Sequence, residues 1–408
     1  MGKRAGVDGT AVLSQPFEAT TIVGGRVGER RPLLSAPSLI DARSAAERLF
    51  LAFLPPALLV LLVAARYLIG KHLGFDYRPL WDASRAVVHG ASPYPPPHAW
   101  ALHDEQQFVY PPIAALVGAP LAVFPFGVAA ALLAVIELLA TGLTLRVLGV
   151  RDWRCYGVVL LWYPVIQNIL VGSITSLLAL GLACAWRYRD ERRVTPIVLA
   201  ALVATKVFLW PLLVWLAATR RALRAAAALA LGAVGVTLSW ALIGFAGLTS
   251  YPRLLDELSR LEQWKSYSAV AFGLVLGLTP REAQTLALIA CAVALVGAVL
   301  LARRGNGSGD ADKQAFVLAL GAAFLFTPIV WTHYLALLVV PIAITRRTLT
   351  PLWFVPLAMW ATPGQSNGHA WQVALGLSVW VVVLAASLAP PWRWPLSFRR
   401  RAAALATP

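Results

Sequence analysis

Arginine clusters separated by nearly charge-free apolar sequence constrain this chain more than any other feature. They fall at Arg146, Arg151 and Arg154; at Arg187, Arg189, Arg192 and Arg193; at Arg220, Arg221 and Arg224; at Arg303 and Arg304; at Arg346 and Arg347; and at Arg399 to Arg401. Of the 408 residues 59% are hydrophobic and only 13% charged, whereas a soluble domain carries about a quarter charged residues. Water-soluble and disordered classes are thereby excluded, and an integral membrane protein is predicted. The net charge of +16 then belongs to cytoplasmic loops facing anionic membrane lipids, and no nucleic acid is expected as partner. Cys155, Cys184 and Cys291 each lie inside a hydrophobic run and make neither a disulfide framework nor a CxxC site.

With every arginine cluster placed in the cytoplasm, the intervals between them are too short for ordinary helix pairs. There are 32 residues between Arg154 and Arg187, 26 between Arg193 and Arg220, and 32 between Lys313 and Arg346, while two full crossings need roughly 40. Each interval therefore predicts a hairpin of short or broken helices, its apex buried in protein or lining a wet cavity. The apices read Gln167-Asn168 to Ser173, the surroundings of Lys206, and Trp331-Thr332-His333. Phe50 to Ile69, Gly127 to Leu148, Ala225 to Phe245 and Leu286 to Leu301 read as single crossings, and Pro351 to Ala361 with Trp371 to Leu388 as a final pair around an outside turn at Pro363 to Ala370. Pro111 to Val123 is too short to cross and reads as re-entrant or interfacial. Ser250 to Lys265 alternates leucines with charges at helical spacing, the pattern of a helix lying in the interface.

The expected fold is an all-α polytopic membrane protein, a helix bundle of about 12 segments with extracytoplasmic loops carrying short interfacial helices. Residues 1–48 form a cytoplasmic, partly disordered tail, 49–390 the transmembrane domain, and 391–408 a basic cytoplasmic tail. The 1–48 stretch lacks the apolar core of a cleaved signal peptide. No half of the chain repeats the other, which argues against a transporter built from duplicated halves.

The longest polar interval after the tail, Lys71 to Tyr110, faces outside and carries Asp76 and Asp82 among Tyr77, Arg78, Trp81 and Arg85. Spacing alone leaves two readings open: acids paired with their own loop arginines, or a catalytic carboxylate. His98, His103, Asp104 and Glu105 follow no ligand spacing and read as a solvated loop, so no metal or other cofactor is predicted. There is no P-loop and no GxGxxG.

The strings FDYRPLWDASRAVVHGASPYPPP and FVYPPIAALVGAPLAVFP, followed in order by YPVIQNILVGSITSLLALGLACAW, LVATKVFLWPLLVWLAATRR and FTPIVWTHYLALLVVPI, resemble the bacterial membrane mannosyltransferases of glycosyltransferase family 87 in the GT-C superfamily. The resemblance runs from about Phe75 to Pro341. It implies a GT-C-like bundle, a polyprenyl-phosphate-sugar donor, a lipid or glycolipid acceptor and extracytoplasmic chemistry at a bacterial plasma membrane. The family's essential acid in the first outside loop corresponds to Asp76, which becomes the general base that takes the acceptor hydroxyl's proton. Lys206, a lone ammonium between apolar runs, becomes the candidate for stabilising the departing phosphate. Arg78 or Arg85 would clamp the same phosphate, Asp82 would orient the base, bind sugar hydroxyls or simply pair with Arg78 or Arg85, and His333 of the Trp-x-His segment would meet donor or acceptor. Gln167, Asn168 and Ser173 are candidate sugar partners, and Tyr110 joins the binding set. Gly172-Ser173-Ile174-Thr175 departs from the family's Gly-Gln-Val-Asn, removing amides that would distinguish sugar epimers.

The resemblance predicts inverting transfer of a hexose, mannose first. The alternatives are transfer of arabinofuranose by an enzyme of the same family, or movement of a lipid-linked sugar without chemistry.

Overall fold

A computed structural model of the chain describes residues 39–68, 73–94, 107–305, 308–362 and 366–389. The chain divides into two units, Met1–Ala46 and Glu47–Pro408; apart from the first turns of α1, the second holds everything described below. Of the predicted tails, 1–38 and 390–408 lie outside the described residues, as do Lys71 and the loop with His98, His103, Asp104 and Glu105.

Among the described residues all regular structure is helical. The helix α1 (Leu39–Leu68) starts ahead of the predicted Phe50, with its apolar crossing at Ala46–Arg66. The amphipathic α2 (Tyr77–Val88) buries Tyr77, Leu80, Trp81, Ser84 and Val87, where the sequence was expected to form a loop. Next come α3 (Pro112–Ala122), with proline in its first turn, and the crossing α4 (Phe126–Val147). The first predicted hairpin is α5 (Trp153–Leu160), α6 (Tyr163–Val171) and α7 (Thr175–Arg187), with α5 and α6 bent 61° across Leu161–Trp162. The second is α8 (Val194–Thr205) and α9 (Pro211–Leu216), broken at Lys206 and leading into α10 (Ala222–Leu242). Apolar sequence runs from Val207 to Leu242, 36 residues; straight, that would span about 54 Å, well beyond a bilayer core. It kinks at Thr219–Arg220, where Arg220 takes a left-handed φ of 65°.

The interfacial segment is α11 (Tyr251–Glu262), and a seven-residue helix that was not anticipated, α12 (Ala269–Val275), follows it, capped by Ser268. The crossing α13 (Pro280–Arg304) opens on a Thr279/Glu282 capping box. The third hairpin is α14 (Gly309–Phe326), a 3-10 turn at Thr332–Leu338, and α15 (Val339–Thr345). The 3-10 segment Pro351–Ala361 and α16 (Ala370–Leu388) end the bundle.

Among the described residues five helices are long and apolar enough to cross a membrane, six with the bent α5–α6 pair. The expected count of about 12 takes each arm of the three hairpins as a segment, and arms such as α7 and α8 are too short for a full crossing alone. Large apolar side chains on α1, α10 and α13, among them Phe53, Val60, Leu229, Val234 and Val293, lie exposed. Such faces are a liability in water and the natural surface in lipid.

Among the described residues three buried clusters fill the interior, the smallest being Val270 and Leu274 of α12 against Ala283 and Ala287 of α13. The largest joins α6 to α9 with α14 and α15 around Trp162, Trp215, Trp353 and Phe316; the second joins α2, α3 and α4 with Trp240 and Ile243 of the α10 end. The chain between Leu73 and Tyr77 runs along the seam between these two.

Candidate active site

Asp76 stands immediately before α2, and its position is fixed through the backbone. Gly74 N–H donates to the Leu170 carbonyl (3.1 Å) and Asp76 N–H to that of Val171 (2.8 Å), so the strip is tied to the last turn of α6. The approach is close enough to require glycine on both sides. Gly172 ends α6 in a left-handed conformation with φ of 72°, and a Cβ there would lie 2.8 Å from Tyr77 Cβ and 3.0 Å from Gly74 Cα. The Asp76 side chain keeps 35% of its surface open. Desolvation by the surrounding protein nevertheless pushes its carboxyl up to about 6, against the pull of Lys206 and then Arg66. A group both reachable and desolvated lies in a recess rather than on an open loop.

The Lys206 ammonium reaches the same recess from the break between α8 and the Val207–Leu209 turn. It donates to Tyr334 Oη at 2.7 Å and lies 4.2 Å from the ring centroid of Tyr110 and 4.8 Å from that of Tyr334. Two aromatic faces and a phenol thus hold the cation. Burial raises the Tyr110 phenol above its ordinary value despite the pull of Lys206, which keeps it neutral. Tyr110 is itself pinned from behind: Tyr94 Oη donates to its carbonyl (2.6 Å), Tyr251 Oη to that of Val109 (2.8 Å), and Tyr94 stacks on Trp240 at 5.0 Å. His333, buried in the third hairpin, puts Nδ1 3.7 Å from Asp76 Oδ2 and packs edge-on to Tyr334 at 4.9 Å. Asp76, Tyr110, Lys206 and His333, from four separate stretches of sequence, therefore share one site.

Other predicted members are used elsewhere. Arg78 Nε pairs with Asp82 Oδ2 at 3.0 Å on the exposed side of α2, Arg78 lies over Phe126 at 4.8 Å, and Arg85 lies over Trp81 at 4.9 Å. The contacts of Asp82, Arg78 and Arg85 run along α2 instead of meeting Asp76. A helix that begins right after Asp76 carries Asp82 about 9 Å onward and to another face. Asn168 is fully buried: Nδ2 donates to Glu137 Oε2 (2.6 Å) and Ser176 Oγ (2.9 Å), and Oδ1 accepts from Thr175 N–H (3.1 Å). Both of its amide donors are thus used inside the fold. Ser173 is buried against Thr175 (3.0 Å). Gln167 is half-buried and accepts the Tyr163 hydroxyl at 3.2 Å.

The sequence reading missed three residues: Tyr334, Arg66 and Glu137. Arg66 ends the α1 crossing, has a buried Nε without a hydrogen-bond partner, and acts on Asp76 electrostatically. Glu137 is 0% exposed in the middle of α4, and an acid inside an apolar span was itself the signal that could have found it. Among the described residues no three or more His, Cys, Asp or Glu converge as a metal site.

This architecture is an all-α polytopic membrane protein with a carboxylate and an ammonium gathered at one place among its helices. The model of glycosyltransferase family 87 matches residues 108–330, more than half of the chain, and the chain belongs to that family. It is 27% identical over 308 residues to the "Polyprenol-phosphate-mannose-dependent alpha-(1-2)-phosphatidylinositol pentamannoside mannosyltransferase" of Mycolicibacterium smegmatis, an alignment covering 70% of this chain and 67% of that protein. No solved structure matches the chain. The family match contains Tyr110 and Lys206; Asp76 and His333 flank it and join them through the fold.

Proposed function

We propose that this glycosyltransferase moves a hexose, mannose, from a polyprenyl-phosphate donor to a lipid or glycolipid acceptor on the extracytoplasmic face, with inversion and with Asp76 as general base. The observation that carries this reading is the shared recess: a carboxylate that is ionised at neutral pH, yet more basic than usual, beside an ammonium held on neutral aromatic groups. The acceptor oxygen attacks the anomeric carbon while Asp76 takes its proton. The anomeric carbon–oxygen bond to phosphate breaks, and its electron pair leaves with the polyprenyl phosphate. Lys206 and Arg66 receive that anion, and both charges are in place before it develops. His333 steadies the Asp76 carboxylate from its buried side. One acid and no covalent intermediate suit inversion. The donor and the sugar follow the relative's name.

The two ends of the bundle support the extracytoplasmic placement. Asp312 at the start of α14 pairs with Arg189 Nε (2.8 Å) and Arg221 Nη2 (3.1 Å), gathering the arginine ends of the second and third hairpins, while the other ends of the same hairpins supply Lys206 and His333. Taking the arginine-rich end as cytoplasmic, as excess Lys/Arg favours, supports a recess that faces outside.

The test is transfer by the purified, lipid-reconstituted protein from radiolabelled polyprenyl-phosphate mannose or decaprenyl-phosphate arabinose to candidate glycolipids. Mannose transfer is expected. Arabinose transfer replaces the sugar assignment, and movement of intact donor across the bilayer without product overturns the enzyme reading.

A further inference from the structure

Glu137 takes no part in the chemistry above, yet it lies fully buried in α4 with its polar contacts directed at one place, the turn between α6 and α7. Its Oε2 accepts from Asn168 Nδ2 at 2.6 Å and from the backbone N–H of Ser176 at 2.9 Å. One turn along α4, Thr141 Oγ1 donates to Ser176 Oγ at 2.9 Å. The α7 helix has no side-chain cap of its own, since Ile174 stands at its N-cap. Its first N–H groups are satisfied from other helices: Thr175 by Asn168 Oδ1 (3.1 Å) and Ser176 by Glu137. A carboxylate at that end also meets the positive end of the helix dipole.

The turn held in this way is the one that carries Asp76. Asn168 sits one turn before the end of α6, and its carbonyl accepts from Gly172 and Ser173 N–H (3.0 and 3.1 Å); the next free carbonyls, Leu170 and Val171, accept from Gly74 and Asp76. From these contacts we propose that Glu137 is a positioning residue for the Asp76 carboxylate, acting through Asn168 and the α6–α7 turn. The proposal rests on the reading of Asp76 as base. Burying a carboxyl in a membrane span is costly, and a span packed only for stability would do as well with an apolar side chain there.

The Glu137 Oε1 atom has no hydrogen-bond partner, which makes glutamine an informative substitute. In Glu137→Gln the amide oxygen can keep both contacts of Oε2 while the NH2 group takes the empty position. Alanine removes the acceptor and frees the turn. The experiment measures kcat and donor KM of reconstituted Glu137→Ala, Glu137→Gln and Asn168→Ala, each normalised to monodisperse folded protein, with Asp76→Asn alongside. The expected result for Glu137→Ala is a kcat lowered about 10- to 100-fold, the range for a misplacement of about an ångström, with donor KM changed less than about threefold because Lys206 and Arg66 are untouched. Glu137→Gln should stay within about tenfold of the parent, and Glu137→Ala combined with Asn168→Ala should lose no more than the worse single variant, as members of one chain do. Should Glu137→Ala not fold, Asn168→Ala, which leaves the acid in place, carries the same test of kcat against KM. Unchanged kcat in the folded alanine variants overturns the proposal, and so does an equal loss in Glu137→Gln and Glu137→Ala. Turnover by Asp76→Asn overturns the base assignment instead, so the two failures are told apart.

Discussion

An ammonium in an apolar run must be stabilised by its surroundings, and at Lys206 the partners are two aromatic faces and one phenol in place of a carboxylate. Such partners hold the charge without neutralising it, which leaves it able to receive an anion. Lys206→Met should therefore lower kcat by about 100- to 1,000-fold, as loss of one preorganised donor to a developing anion does, and Tyr334→Phe by much less, both read by steady-state transfer. The Asp76 carboxyl lies at about 6 instead of 3.8, so the base is lost by protonation as pH falls through 6 and kcat/KM should drop about tenfold per unit below it. The sign for stability is opposite: the folded chain takes up this proton before the unfolded chain does, so between pH 6 and 4 Asp76 favours the folded state. A thermal melt that holds while activity falls would separate titration from acid unfolding. Lys206 stood out in the sequence because a lone charge between apolar runs is expensive, whereas Asp76 and His333 were singled out by the family resemblance. Where Asp82, Arg78 and Arg85 stand could not be read, because a polar interval does not reveal where a helix starts; in α2 Asp82 pairs with Arg78 on the exposed side.

At the level of elements, the spacing of arginine clusters was enough to predict short hairpins and their apices, because helix length is set by residue count and bilayer thickness. It could not reveal how the apices meet. That depends on the crossing of Gly74 and Gly172, where a positive φ and a close backbone approach coincide. Gly172→Ala should destabilise the protein by about 1–3 kcal/mol, the usual cost of a non-glycine residue held in a strained backbone conformation. Transfer should fall beyond that, because the added Cβ would push against Tyr77 Cβ at 2.8 Å, next to the base. Denaturation in detergent and kcat per folded protein give the two numbers. The helix α12 was hidden for a different reason: seven residues are too few to show a period of 3.6.

For the whole molecule, the cationic end is held by one buried acid. Asp312 accepts from Arg189, Arg221 and Trp215 Nε1 (2.8 Å), joining α9 and α14 to the segments after α7 and before α10. Asp312→Leu would leave Arg189 without its carboxylate and Arg221 with only the exposed Asp190, and should cost about 3–5 kcal/mol, the range for breaking a buried ion pair, read as a lower melting temperature with the parent's pH–rate profile. The helices that frame the recess also have a bearing on the surrounding lipid. With 13 residues in α7 and 12 in α8, these walls reach about 20 Å against a hydrocarbon layer of about 30 Å. Acyl chains beside them must thin or tilt, and a headgroup can sink toward Asp76 without leaving its leaflet. Turnover should therefore rise in vesicles of short-chain phosphatidylcholine and fall as the acyl chains lengthen, so that lipid length acts as a control on how deep an acceptor sugar can sit.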